Sequence, residues 1–138
     1  MNFFALSALV NVATSVVLGL LVVSADRRAF LNRIFAAFAA SVAFWSYAYF
    51  MWQIAGSADA ALFWSHMLMA GAIFITPVYF HFIVHFLQLQ KRYLVLGGYL
   101  GAVVFSLLNW TPIFIERVVE RAGFPYWPDA GILFAPYL

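Results

Sequence analysis

The sequence contains no cysteine and few charged residues. Only 7 Lys or Arg and 5 Asp or Glu occur among its 138 residues, whereas 67% of the residues are hydrophobic. The absence of cysteine excludes disulfides, thiolate catalysis and cysteine-based zinc or iron–sulfur sites. A soluble domain carries about 25% charged residues, and 9% charged residues cannot solvate the surface of such a domain. We therefore expect an integral membrane protein, with the lipid bilayer as a partner. The net charge of +2 does not suggest a nucleic-acid partner.

Four long apolar segments alternate with short polar breaks. Each segment supplies the roughly 20 residues that a helix needs to cross a hydrocarbon core of ~30 Å. The sequence thus predicts an all-α fold, with four transmembrane helices in one antiparallel up-down bundle. The predicted helices span about 3–23, 34–54, 62–88 and 93–115, and an external tail spans 116–138.

The basic residues predict the orientation of these helices. Three arginines lie in the first polar break, and Lys91 and Arg92 lie in the third, whereas the second break holds only Asp59. Cytoplasmic loops of membrane proteins carry an excess of Lys and Arg. We therefore expect loops 24–33 and 88–92 in the cytoplasm, and the N-terminus and the tail outside.

Two histidines interrupt the third apolar segment, in the stretch TPVYFHFIVHF. His81 and His85 are four residues apart, so they share one face of a helix. The other predicted helices offer no His, Asp or Glu at membrane depth that could complete a haem or metal site. We expect no metal and no cofactor, and we keep His81 as the histidine with a candidate functional role.

Three further residues have a structural interpretation. Pro77 lies in the middle of the third helix, where it removes a backbone hydrogen bond and predicts a kink that could serve as a hinge. Gly97 and Gly101 form a GxxxG pattern, which predicts close helix packing. No constellation of catalytic residues occurs, so we do not expect an enzyme.

The chain resembles the N-terminal seven-helix membrane region of bacterial sensor histidine kinases. The similarity rests on a basic first loop, the aromatic stretch FWSYAYFMW, and a proline followed by the aromatic-rich YFHFIVHF. The tail WPDAGILFAPYL is similar to the segment that leads into the fifth helix of the family. The resemblance covers about the first four and a half helices of the seven.

This resemblance implies a non-enzymatic sensory module in a bacterial inner membrane. A ligand or membrane stimulus would favour one helix packing and pass the change to a cytoplasmic output domain, which this chain does not contain. Trp45, Tyr49, Pro77 and His81 are the candidates for a ligand pocket or hinge. Expected partners are an unknown small ligand and a second copy of the chain or other membrane helices.

Three alternative hypotheses stay open. The chain could be a small oligomeric transporter or channel subunit, and flux that His81→Ala abolishes would favour this. It could bind haem or a metal through His81 and His85, and a Soret band would favour that. It could also be a structural partner of another membrane protein.

Overall fold

A computed structural model of the chain describes residues 3–121 and 123–132. Four helices are followed by a β-hairpin, which the sequence did not predict. Three of the helices are long and apolar enough to cross a membrane, and the fourth is shorter. The elements are α1 (Phe3–Ala25), α2 (Phe30–Gln53), α3 (Ala58–Phe86), α4 (Arg92–Leu108), β1 (Ile115–Arg121) and β2 (Phe124–Ala130). The sequence predicts another apolar segment at the end of the tail, and residues 133–138 of that segment lie outside the described residues.

A short polar turn connects α1 to α2. The carboxylate of Asp26 accepts hydrogen bonds from the backbone N–H groups of Arg28 at 2.8 Å and Ala29 at 3.3 Å. The side chain of Asn32 donates to the Asp26 carbonyl oxygen at 3.2 Å. This turn lets α2 begin at Phe30, four residues before the predicted boundary, because polar residues fit the first turn of a helix as well as a loop.

The helix α3 also begins four residues earlier than predicted, because polar side chains stabilise its first turn. The hydroxyl of Ser57 accepts a hydrogen bond from the backbone N–H of Ala60 at 3.3 Å. Asp59 lies in the same turn, where the helix dipole favours a negative charge.

A left-handed residue ends α3. Gln88 has a φ of 55°, and its N–H donates to the His85 carbonyl oxygen at 3.1 Å. The N–H of Leu89 donates to the Val84 carbonyl oxygen at 2.9 Å. This pair of bonds is the Schellman motif, which satisfies carbonyl groups that a helix end leaves free.

The helix α4 ends at Leu108, whereas the sequence predicted an end near 115. Proline lacks a backbone N–H and disfavours helical geometry in the residue before it, so Pro112 opposes continuation of the helix. The N–H and the hydroxyl of Thr111 both donate to the Leu108 carbonyl oxygen, at 2.9 Å and 2.6 Å. The chain then turns back, and Phe114 donates to the Thr111 carbonyl oxygen at 3.1 Å.

The hairpin starts inside the helical bundle. Phe114 and Ile115 are fully or almost fully buried, at 0% and 3% exposure, and they join a cluster with Ile73 of α3 and Ala102 of α4. The strands β1 and β2 pair antiparallel. Gly131 N–H closes the base of the hairpin on the Phe114 carbonyl oxygen at 2.9 Å. The burial of its first residues fixes the hairpin to the helices.

Small residues set the spacing between α1 and α2. A Cβ placed on Gly19 would lie 3.2 Å from the Cβ of Ala39. Further along, Asn11 Nδ2 donates to the Ser46 hydroxyl at 2.7 Å. Small residues of this kind let helix backbones approach closely, and a polar pair adds an interhelical hydrogen bond.

The α2–α3 and α3–α4 pairs also meet at small residues. A Cβ placed on Gly71 of α3 would lie 3.0 Å from both Cα and Cβ of Trp45 of α2. A Cβ placed on Gly98 of α4 would lie 3.4 Å from the Cβ of Pro77 of α3, and α3 continues as one helix through this proline. The contact between Gly71 and Trp45 is therefore tighter than the contact between Gly98 and Pro77.

Replacement of Gly71 should therefore separate α2 from α3. We expect Gly71→Ala to lower the free energy of unfolding by about 1–3 kcal/mol, because overpacking forces backbone shifts. Thermal unfolding in detergent micelles, followed by circular dichroism, measures the change.

Gly101→Ala is the matched control, since a Cβ there would meet nothing within 4 Å. Alanine in a helix interior is favoured over glycine by roughly 0.5–1 kcal/mol, so this variant should be at least as stable as the original chain. Equal stability of the Gly71→Ala and Gly101→Ala variants would contradict the close contact.

Candidate ligand site

A cavity of about 380 Å³ lies where the hairpin packs against α2 and α3. Its volume falls in the range of small-molecule sites, which runs from about 300 to 1,000 Å³. Its walls come from Tyr49 and Trp52 of α2, Leu68 and Met69 of α3, and Ile115, Arg121, Trp127, Pro128 and Asp129 of the hairpin. Both the helices and the hairpin must be in place for the cavity to exist.

Trp52 joins the hairpin to α2. Its side chain is 7% exposed, and its Nε1 donates a hydrogen bond to the Tyr126 carbonyl oxygen at 2.8 Å. The indole stacks on the ring of Phe124, with centroids 5.8 Å apart, and meets Trp127 edge to face at 5.9 Å. This side chain therefore holds β2 in position and forms one wall of the cavity.

Tyr49 extends the aromatic wall along α2. Its ring lies 5.5 Å from that of Trp52 and 6.0 Å from that of Trp45, measured between centroids. The three aromatic residues follow helical spacing, so they share one side of α2. The Tyr49 hydroxyl accepts a hydrogen bond from Gln53 Nε2 at 3.0 Å, which orients the ring.

The floor of the cavity is apolar. Leu68 and Ile115 are both buried, and Met69 packs against the cluster that contains Ile115. A ligand that enters the cavity would therefore exchange water for hydrocarbon and aromatic surface over most of its area, which favours binding of apolar groups.

Charged side chains lie on the hairpin side of the cavity. Asp129 forms a salt bridge with Arg117, in which Oδ2 of Asp129 lies 3.5 Å from Nε of Arg117. Arg121 lines the same cavity, and within residues 3–121 and 123–132 it makes no salt bridge. Within the part of the chain that the structure describes, the cavity thus has one carboxylate with a salt-bridge partner and one exposed guanidinium without one.

One family model matches the chain, over residues 7–137, and its description is the N-terminal 7TM region of histidine kinase. The chain belongs to this family. The match confirms the resemblance that the sequence indicates, and it covers α1 from residue 7 onward, the other three helices and the hairpin. No curated protein and no solved structure matches the chain.

Membership identifies the chain as sensory membrane region rather than catalytic domain. The family is the N-terminal, non-catalytic input region of histidine kinases, and the long apolar helices fit that assignment. The match leaves only residues 1–6 and 138 of the sequence outside.

The structure brings only part of the predicted site together. Tyr49 lines the cavity beside the hairpin. Trp45 packs one turn away against Tyr49 and Gly71. Pro77 lies against Gly98 in the α3–α4 contact. That Trp45, Tyr49 and Pro77 act in ligand binding or as a hinge stays a prediction.

His81 lies in a different part of the bundle. It follows Met69 by 12 residues along α3, about 18 Å at 1.5 Å per residue. Its Nδ1 is 3.2 Å from the Tyr99 hydroxyl, and Phe30 packs edge-on against both His81 and His85. These residues line a separate open cleft of about 870 Å³. Across the described ranges, no three His, Asp or Glu side chains cluster as metal ligands would.

Gly97 and Gly101 line an open groove of about 570 Å³ between α3 and α4. A Cβ added at either position would meet nothing within 4 Å, whereas one at Gly98 would touch Pro77. Among the described residues, Gly98 is therefore the glycine of α4 in close contact. A packing role for Gly97 and Gly101 stays a prediction.

Of the described residues that line the cavity, sequence reasoning named only Tyr49 as a site candidate. It did not assign Trp52 to a site, and it did not predict that the tail with Arg121, Trp127 and Asp129 forms strands. One signal was available. Gly123 lies between the two seven-residue segments that form β1 and β2, and a glycine between two strand-forming segments is typical of a tight hairpin. In the structure this glycine has a φ of 80°.

Loss of the Trp52 hydrogen bond should loosen the hairpin. We expect Trp52→Phe to keep much of the aromatic packing and to lose the bond to Tyr126, at a cost of about 1 kcal/mol. Hydrogen–deuterium exchange of β1 and β2 should become roughly fivefold faster, since 1.4 kcal/mol corresponds to a factor of ten.

Trp64→Phe serves as the control, because Trp64 packs against Tyr47 and Phe63 rather than the hairpin. Unchanged exchange of β1 and β2 in the Trp52→Phe variant would show that the bond does not hold the hairpin.

Proposed function

We propose that the chain is the signal-input module of a bacterial membrane receptor of the histidine kinase type. In this proposal the cavity beside Trp52 binds a small ligand, and the resulting change in helix packing reaches a cytoplasmic output domain. The proposal rests on one observation: the hairpin and the two long helices α2 and α3 together form the walls of the cavity. Family membership supports the sensory role.

The surface of the helices supports integration in a bilayer. Large apolar side chains cover the outside of the bundle, for example Leu20 at 62%, Leu100 at 59% and Leu107 at 70% exposure. Exposed apolar area on this scale marks a surface that is covered by another phase or partner. We infer that acyl chains cover it in a bacterial inner membrane.

Contacts between consecutive helices support an antiparallel bundle. Asn11 of α1 bonds to Ser46 of α2, whereas Gly19, later in α1, meets Ala39, earlier in α2. The contacts of α3 also run antiparallel. Gly71 meets Trp45 of α2, whereas Phe82, later in α3, meets Phe35, earlier in α2.

Along α4, Gly98 meets Pro77 of α3, whereas Asn109, just after α4, bonds to His66, earlier in α3. With the basic loops in the cytoplasm, the N-terminus and the hairpin would lie outside.

A ligand can shift the bundle only if it binds one packing more tightly than another. A molecule in this cavity would contact β2, α2 and α3 together, so its affinity would depend on their relative positions. The helix α3 runs from Met69 at the cavity, through Pro77, to His81 near the predicted cytoplasmic side. A displacement of α3 is therefore the route that we propose for the signal.

The orientation is testable because the chain has no cysteine of its own. We expect a membrane-impermeant maleimide to label a Gly56→Cys variant in intact spheroplasts, since the α2–α3 connection would lie outside. A Gln90→Cys variant should be labelled only after the membrane is permeabilised. Labelling of the Gln90→Cys variant in intact spheroplasts would contradict the orientation.

A side chain that fills the cavity should imitate a bound ligand. We expect Met69→Trp to change the distance between spin labels introduced by Ser24→Cys and Gln90→Cys by about 1–2 Å, the size of helix shifts in known switches. Double electron–electron resonance in nanodiscs measures this distance. Ser24 lies in the last turn of α1 and Gln90 lies in the α3–α4 connection, both at the ends of α1 and α3 away from the hairpin.

Leu107→Trp is the matched control, because Leu107 faces outward at 70% exposure and the substitution adds similar bulk away from the cavity. Its distance distribution should equal that of the parent chain. An unchanged distribution for Met69→Trp, in a protein that keeps its helical circular dichroism, would speak against coupling between the cavity and the cytoplasmic end.

A further inference from the structure

Given the proposed sensory role, we propose that the cavity beside Trp52 recognises a small amphiphilic anion. Such a ligand has an apolar, preferably aromatic, body and one carboxylate or similar acidic group. The body would lie between the aromatic wall and the apolar floor, and the acidic group would face Arg121.

The charge of the ligand follows from the charged residues of the lining. Arg121 and Asp129 are the ionisable groups of opposite sign among the lining residues, and Asp129 already has a partner in Arg117. Arg121 has no salt-bridge partner in the described part of the chain. A carboxylate in the cavity would supply that partner, and guanidinium–carboxylate pairs form strong, often bidentate, hydrogen bonds.

A cationic ligand fits the lining less well. Aromatic rings can attract a cation, and Tyr49, Trp52 and Trp127 would provide such rings. A cation would, however, lie beside the positive charge of Arg121, which would repel it. Asp129, the carboxylate among the described lining residues, already has Arg117 as a salt-bridge partner.

The shape and polarity of the ligand's apolar part are inferred from the side chains that line the cavity. The rings of Trp52, Trp127 and Tyr49 give flat apolar surface, and Leu68 and Met69 close the cavity on the helix side. A volume of about 380 Å³ holds a molecule with one ring and a short chain rather than a phospholipid with two acyl chains. We therefore assign a free acid, not an acidic membrane lipid, as the ligand class.

Three probes of matched shape separate the possibilities: 4-phenylbutyrate, 4-phenylbutanol and 3-phenylpropyltrimethylammonium. The chain in phosphatidylcholine nanodiscs is labelled with 5-fluorotryptophan, and the resonances of its five tryptophans are assigned with single Trp→Phe variants. We expect 4-phenylbutyrate to shift the fluorine resonances of Trp52 and Trp127 saturably and to leave that of Trp64 unchanged. Its affinity should exceed that of the alcohol by about tenfold or more, as for a charged hydrogen bond.

Variants of the arginine test its role directly. Arg121→Gln should remove the preference for the acid over the alcohol, and Arg121→Lys should retain part of it. Arg28→Gln removes a positive charge in the α1–α2 connection and should leave the preference unchanged. Nanodiscs with added phosphatidylglycerol should give the same affinity for the acid, and competition by this lipid would instead assign the site to an acidic headgroup.

Two negative results have different meanings. Equal affinity for the acid and the alcohol, or tighter binding of the ammonium compound, would overturn the anion assignment and leave the cavity as a ligand site. If none of the three compounds shifts the Trp52 and Trp127 resonances, both the anion assignment and the proposed function of the cavity are overturned.

Discussion

The hydrogen bond between Trp52 Nε1 and the Tyr126 carbonyl oxygen is the interaction on which the hairpin end of the molecule depends. It connects the last turn of a 24-residue helix to the second strand of the hairpin. Phe124 and Trp127 pack against the same indole. An indole suits this position because it buries a large apolar surface and still satisfies a polar backbone group. The position of β2, and with it the size of the cavity, therefore depends on one side chain of α2.

A second polar contact fixes the other end of the same segment. Asn109 is fully buried, and its Nδ2 donates to the His66 carbonyl oxygen at 2.7 Å. This bond attaches the end of α4 to α3 just before the chain turns back at Thr111 and buries Phe114. The stretch from Asn109 to Tyr126 is therefore attached to α3 at its start, through His66, and to α2 at its end, through Trp52. These two hydrogen bonds hold the hairpin against α2 and α3.

The helices were predictable from sequence because each needs only a long local run of apolar residues. The sequence predicts an end of α4 near 115, whereas the helix ends at Leu108, before Pro112. The hairpin and cavity were not predictable in this way, because Trp52 and Tyr126 are 74 residues apart and nothing local pairs them. Tyr49, a pocket candidate from the sequence, lines the cavity, and its role in ligand binding stays a prediction. Arg121 reaches the cavity wall because the hairpin packs against α2 and α3, which its position in the sequence does not reveal.

The short length of α4 has a consequence for the lipid around it. Its 17 residues span about 26 Å, less than the ~30 Å of an average hydrocarbon core. The irregular backbone of 109–114 continues beyond its end and is sheltered there by α3, as non-helical backbone at membrane depth must be. If α4 crosses the bilayer as proposed, this side of the bundle has a hydrophobic mismatch with a membrane of average thickness. A bilayer can adapt to a short helix by becoming thinner beside it, so the thickness of the surrounding lipid bears on the packing of α4.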